Sequence, residues 1–165
     1  MVPCDPERMS ALQLPVCEGN RPRTTSSNPR TQLAQQPTDP RLVEELTRRA
    51  FALPGVAEEP SGIAVPGAFV LVLADVEPTG PPEAFLIGRE FTHLHPAPDH
   101  SLHAMLPLDP ADVAIDAGWA ESHPVALREL IPRTAVMRYA PRGDAELDVI
   151  ETLVKASHGY ARPMT

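Results

Sequence analysis

Apolar residues recur along the chain at two periods, and these divide it into elements. Leu42, Leu46, Ala50 and Leu53, joined by Val43, are spaced as one helical face that begins at Asp39-Pro40 and ends at Pro54-Gly55. Asp39 suits the cap, and Pro40 suits the first helical position because its missing N–H has no intrahelical partner there. The opposite face carries Glu44, Glu45, Arg48 and Arg49, a solvated surface. Residues 68–73 are almost continuously apolar and rich in β-branched side chains, as in a central, well-covered strand. Residues 84–87, 101–106 and 134–139 give three further strands, and the prolines of 77–82 make the intervening stretch a loop. Asp109-Pro110 opens a second helix that Gly118 stops; Asp144 caps a third, with a buried stripe of Leu147, Ile150 and Val154, ending near Gly159. The order is helix, three strands, helix, strand, helix. Grouped strands favour an α+β fold, a mostly antiparallel sheet of about four or more strands with helices packed on one face.

Before this pattern starts, residues 1–38 mix Pro, Ser, Thr, Asn, Gln and Arg with few apolar positions. Such a segment buries too little to offset its ordering entropy and is expected to be disordered, with a single domain over 39–162. Both cysteines, Cys4 and Cys17, fall in it, which favours free thiols over a disulfide scaffold. A net charge of −8 argues against a nucleic-acid surface, which needs clustered Lys and Arg. No apolar run approaches the roughly 20 residues that span a bilayer, and the start lacks the apolar core of a secretory signal. A cytoplasmic protein acting without a membrane is the expectation.

Chemistry concentrates in one stretch. Of the six histidines, four (His93, His95, His100 and His103) lie within residues 90–103, and His123 follows. In His93-Leu94-His95 the two rings share one side of an extended chain, and a turn through 96–99 brings His103 back beside them. Three neutral imidazoles at one point suit a divalent metal, Zn, Fe, Ni or Cu, with a position left for water or substrate, or else act on a substrate directly, without a metal. His123 is then either a fourth ligand or a proton-transfer group, with Asp99 or Glu90 orienting an imidazole from behind. The competing reading has histidines that only hold loops through backbone hydrogen bonds, in a module that binds a ligand or a partner without catalysis. Arg142 is a candidate to hold an anionic substituent, or else pairs with Glu146 or Asp144. Arg89 and Glu90 either pair or frame the site, and Trp119 either plugs the core or stacks on a ligand. Thus His123, His103 and Arg142 are the catalytic candidates; His93, His95 and His103 the metal ligands; Arg89, Glu90, Trp119 and Arg142 the substrate contacts. His100, next to a turn, is expected at the surface. The sequence has no P-loop, GxGxxG or CxxC, so no nucleotide, flavin or haem signature accompanies the histidines, and a small molecule is the expected ligand.

The segments 88–96, 99–103, Gly118-Trp119, His123-Pro124 and 139–142 together resemble the small luciferase-domain family of bacteria and fungi, with the matching residues in the family's order between about Arg41 and Ala161. The flavin-dependent luciferases are (β/α)₈ barrels, a fold that takes ~250 residues, so the resemblance implies a different and smaller domain. It marks positions and brings no established catalytic set. Oxidation fits the family's name; isomerisation, cyclisation or lyase chemistry fits the residues equally well.

Overall fold

The computed structural model describes residues 12–26, 31–60, 64–128 and 130–163. Its centre is one six-stranded sheet in which every neighbouring pair is antiparallel, ordered β1 (Val56–Glu58), β2 (Phe69–Leu73), β3 (Glu90–Leu94), β4 (Leu102–Met105), β6 (Ala135–Arg138) and β5 (Ala120–Ser122). Four helices accompany it: α1 (Pro40–Phe51), α2 (Leu108–Asp116), the single turn α3 (Pro124–Leu127) and α4 (Asp144–Ala161). The fold is α+β.

Helices α1 and α4 form where the apolar spacing places them, although α4 is capped at Gly143 and Asp144 is its first residue. In α1 the Asp39 side chain accepts the Arg41 N–H, Pro40 occupies the first turn, and Leu42, Leu46 and Ala50 are buried. Helix α4 buries Leu147, Ile150, Leu153 and Val154, and lies beside α1 across Arg49, which reaches Glu151 at 2.6 Å and Asp148 at 3.0 Å. Gly118, at φ +88, ends α2 by a left-handed conformation that a side chain would disfavour. Together with Leu71, Leu94, Leu102, Val136, Ala111 and Ala114 these stripes make the main core, on one face of the sheet.

The strand expected at 84–87 is not one. Pro82–Ala84 form a short 3₁₀ turn, Ala84 is fully buried, and Leu86 N–H bonds Glu90 O at 2.8 Å to close a tight turn through Gly88 at φ +55. Consecutive prolines cannot donate to a ladder, so this apolar run packs as loop instead of pairing. The strand partner is β3, the stretch that carries the histidines. Three elements lay below the reach of periodicity: β1 and β5, each of three residues at a sheet edge, and α3.

The described part of residues 12–38 is extended chain laid against the domain, with one bridge, Thr24 to Gln32. Cys17 N–H bonds Ala117 O at 2.8 Å, Trp119 Nε1 donates to Pro15 O at 2.6 Å, and Arg21 reaches Ala120 O at 2.8 Å. Gln32 is buried. Cys17 is a free thiol, and burial raises its pKa; Cys4 lies outside the described residues. No helix among the described residues is long and apolar enough to cross a membrane.

Candidate functional site

The face of the sheet turned away from α1 and α4 carries the histidines. In the β3–β4 hairpin His93 stands directly opposite His103, and His95 follows two residues beyond His93, so three rings meet on one face. Their centroids are 4.9 Å apart for His93 and His103, 4.5 Å for His95 and His103, and 5.2 Å for the stacked pair His93 and His95. One nitrogen from each ring lies within 4.8 Å of the others, and all three residues are buried. Donors sharing one Zn at ~2.0–2.1 Å sit closer than that, so the rings would swing inward by roughly 1 Å to hold an ion.

A bulge supplies the first partner. Leu71 pairs with Thr92 while the next residue, Val72, pairs with Glu90, which leaves Phe91 as an extra residue on β3. Phe91 and Thr92 then both serve the helical side: Phe91 joins the main core and Thr92 Oγ1 bonds Ser157 Oγ of α4 at 3.0 Å. In a regular strand Glu90 and His93, three apart, would face opposite ways. The extra residue returns Glu90 to the histidine face, where its Oε1 lies 2.6 Å from His93 Nδ1. Burial lowers the His93 pKa, against the opposing pull of Glu90, which keeps the ring neutral with its other nitrogen available as a donor atom.

The loop after β3 supplies the second. His95 Nδ1 makes a short hydrogen bond to Asp99 Oδ2, and Asp99 Oδ1 accepts the N–H groups of Gln32 at 2.7 Å and Ser101 at 3.3 Å. Burial alone would raise the Asp99 carboxyl; the hydrogen bonds from His95, Ser101 and Gln32 outweigh it and hold the pKa below the usual carboxylate value. Two imidazoles are thus fixed through Nδ1 by carboxylates, the arrangement that sets tautomer and ring orientation in histidine metal sites.

His123 differs. It caps α3, its Nδ1 accepting the Val125 N–H at 3.2 Å, and its ring stands edge-on to His103 at 4.9 Å. A neutral ring that accepts at Nδ1 carries its proton on Nε2 and so has no lone pair there for a metal. His123 thus presents an N–H and not a lone pair at Nε2 in this tautomer.

The remaining candidates are engaged elsewhere. Arg142 makes a bidentate pair with Glu146, Nη2 to Oε1 at 2.5 Å and Nε to Oε2 at 3.0 Å, and donates to Gln35 Oε1 at 2.6 Å and Glu18 O at 3.0 Å. Arg89 donates to Leu73 O at 2.8 Å, Ala74 O at 2.6 Å and Glu77 O, pinning the loop after β2. Trp119 is buried against the core and the Pro15 carbonyl. His100, at φ +56, is partly buried and its Nδ1 has no partner among the described residues. Residue types and spacing pointed to neither Gln32 nor Arg138. Gln32 lies 67 positions from the carboxylate it meets, so no local pattern could link them.

Residues 88–157 match the family model described as the luciferase domain. The chain is 29% identical to proteins named luciferase from Armillaria mellea and Armillaria gallica, in alignments that cover 94% of this chain and 64% of each relative. It is 35% identical to a luciferase from Neonothopanus nambi over 44% of the chain and 28% of that protein. The chain thus spans about 64% of the length of the Armillaria relatives it matches. No solved structure matches it significantly. Residues 88–157 are thus similar to the luciferase domain, carried here on a small antiparallel α+β sheet and not on a flavin-type barrel.

Proposed function

We propose that His93, His95 and His103 form a three-histidine metal centre at which the protein transforms a small molecule. The observation that carries this is the carboxylate behind each of two converging rings: Glu90 on His93 and Asp99 on His95. Two carboxylates set beneath neutral imidazoles leave a buried excess of negative charge, which a divalent cation offsets. Three imidazole donors suit Zn, Fe, Ni or Cu. Such an ion would polarise a bound oxygen or carbonyl group. His123, with its proton on Nε2 and its ring beside His103, would donate a hydrogen bond from Nε2 to the polarised group of the substrate. The relatives' name points toward oxidation of the small molecule. Arg142 stays outside this mechanism, because Glu146 and the N-terminal segment already occupy its guanidinium.

Metal analysis of tag-free protein grown with all four metals supplied tests this reading. About one equivalent of a single metal is expected, lost on substitution of His95 or His103. Less than about a tenth of an equivalent would remove it. A second reading, histidines as purely structural groups in a binding module, is favoured by their burial, at 2–7% exposure. It predicts a metal-free protein whose melting temperature does not respond to added Zn, Co or Ni.

A further inference from the structure

We infer that Gln32, in the segment preceding the domain, is a positioning residue for the histidine centre and acts through Asp99. This rests on the three-histidine reading and extends the site to a part of the chain that carries none of its ligands.

Gln32 is clamped on every polar group it offers to the site. Its backbone N–H donates to Asp99 Oδ1 at 2.7 Å, while its side-chain Oε1 accepts the Ala140 N–H at 2.8 Å, just past β6. The Nε2 donates to Ala34 O at 2.8 Å and Gln35 O at 3.2 Å, folding the chain back on itself at a left-handed Gln35 with φ +59. The residue is 2% exposed, in a stretch that otherwise runs along the surface. A buried amide with each donor and acceptor matched is costly to disturb, because any group left over would sit unpaired away from water.

The consequence passes along one short path. Asp99 lies on the loop between β3 and β4, and only one of its oxygens faces His95. The other is held by two backbone N–H groups, from Ser101 two residues away and from Gln32 on a separate strand of chain. Ser101 belongs to the same hairpin, its carbonyl accepting the His95 N–H at 2.9 Å. Gln32 reaches Asp99 from outside the hairpin and is anchored by Ala140, just past β6. Gln32 is therefore the contact that fixes the Asp99 carboxylate against the rest of the sheet, and through it supports the orientation of the His95 ring. Partners of this kind, one step behind a ligand, are worth about 10–100-fold in metal affinity.

The test uses the full chain and two independent readouts. In the metal-free protein, the His95 Nδ1 proton held by Asp99 is followed by NMR: a downfield resonance protected from exchange in the wild type, lost or rapidly exchanging in Gln32→Ala. Cobalt(II) is then titrated and its visible spectrum recorded. Gln32→Ala is expected to weaken cobalt binding about tenfold. Asp99→Asn keeps an acceptor oxygen for the backbone N–H groups but removes the carboxylate from His95, and in that background Gln32→Ala should cost nothing further. Arg21→Ala loosens the same segment where it meets Ala120 O and should leave both signals intact. An unchanged His95 resonance in Gln32→Ala, or losses that add fully in the double variant, would overturn the inference. A wild type that takes up no cobalt overturns the metal reading instead, and the proton resonance still decides the role of Gln32.

Discussion

Two sets of buried polar groups occupy opposite faces of the same sheet, and they are treated in opposite ways. On one face His93, His95 and His123 each have a specific partner: Glu90, Asp99 and the Val125 N–H. On the other, Arg138 stands in register with Leu102 and Ala120, both members of the main core, fully buried. Its Nε, NH1 and NH2 have no hydrogen-bond partner among the described residues. Burial without a counter-charge lowers its pKa to about 9, so at neutral pH it remains a cation. The histidine face is built as a site is built, with these rings answered by partners two to four residues away and Asp99 answered in turn by Gln32 from a distant part of the chain. The arginine is a cost the fold carries. Burial of a polar side chain is therefore uninformative in this molecule until its partners are counted.

The largest effect tests the partnered face. Removing one ring, in His95→Ala or His103→Ala, should take the bound metal from about one equivalent to less than a tenth, as measured by metal analysis of the purified variants. Glu90→Gln and Asp99→Asn leave all three rings present but take away the carboxylates behind them. Each should weaken metal binding by about 10–100-fold with the fold intact by circular dichroism. If both variants bind as the wild type does, the carboxylates are ordinary satisfied core groups and the contrast between the two faces loses its functional meaning.

How much of that contrast can be read from the sequence depends on the range of each contact. The helical stripe Leu42, Leu46 and Ala50, the antiparallel grouping of strands, and the pairing of His95 with a nearby carboxylate all follow from local spacing. The placement of Glu90 does not. Alternation puts it on the core side, and only the bulge at Phe91, produced by pairing with β2, turns it back. The strand pattern at 84–87 misleads for a related reason, because prolines at 81 and 82 and the turn at Gly88 remove the ladder that a β-rich composition implies. Gln32 and Arg138 carry no local signal at all: one meets its partner across 67 positions, the other sits in an ordinary β-strand pattern beside Met137.

At the unpartnered Arg138 the expected change has the opposite sign. Arg138→Met keeps much of the length and apolar stem of the side chain while deleting an uncompensated buried charge. It should raise stability by about 1–4 kcal/mol, seen as a higher midpoint in urea with an unchanged slope. A loss of stability of similar size would mean that the guanidinium has an anionic partner in the working protein, and would place Arg138 beside the histidines as a functional group.

The smallest effect, and the sharpest, is the pH dependence of that gain. With its folded pKa pushed by burial from the ordinary arginine range down to about 9, Arg138 is charged in both states below pH 9, and the cost is constant there. Above about pH 9 the folded state releases the proton first while the unfolded state still binds it, so wild-type stability rises with pH relative to the variant. The advantage of Arg138→Met should therefore be flat from pH 7 to 8.5 and shrink by up to about 1.4 kcal/mol per pH unit beyond pH 9. Taking the difference between two proteins that share every other group cancels the titration of the tyrosines, the single lysine and the remaining arginines. Denaturation midpoints at pH 7, 8.5 and 10 suffice to see it. A difference that stays constant to pH 10 would show that the buried guanidinium keeps its proton, and that the fold holds it as a cation by some means other than the residues around it.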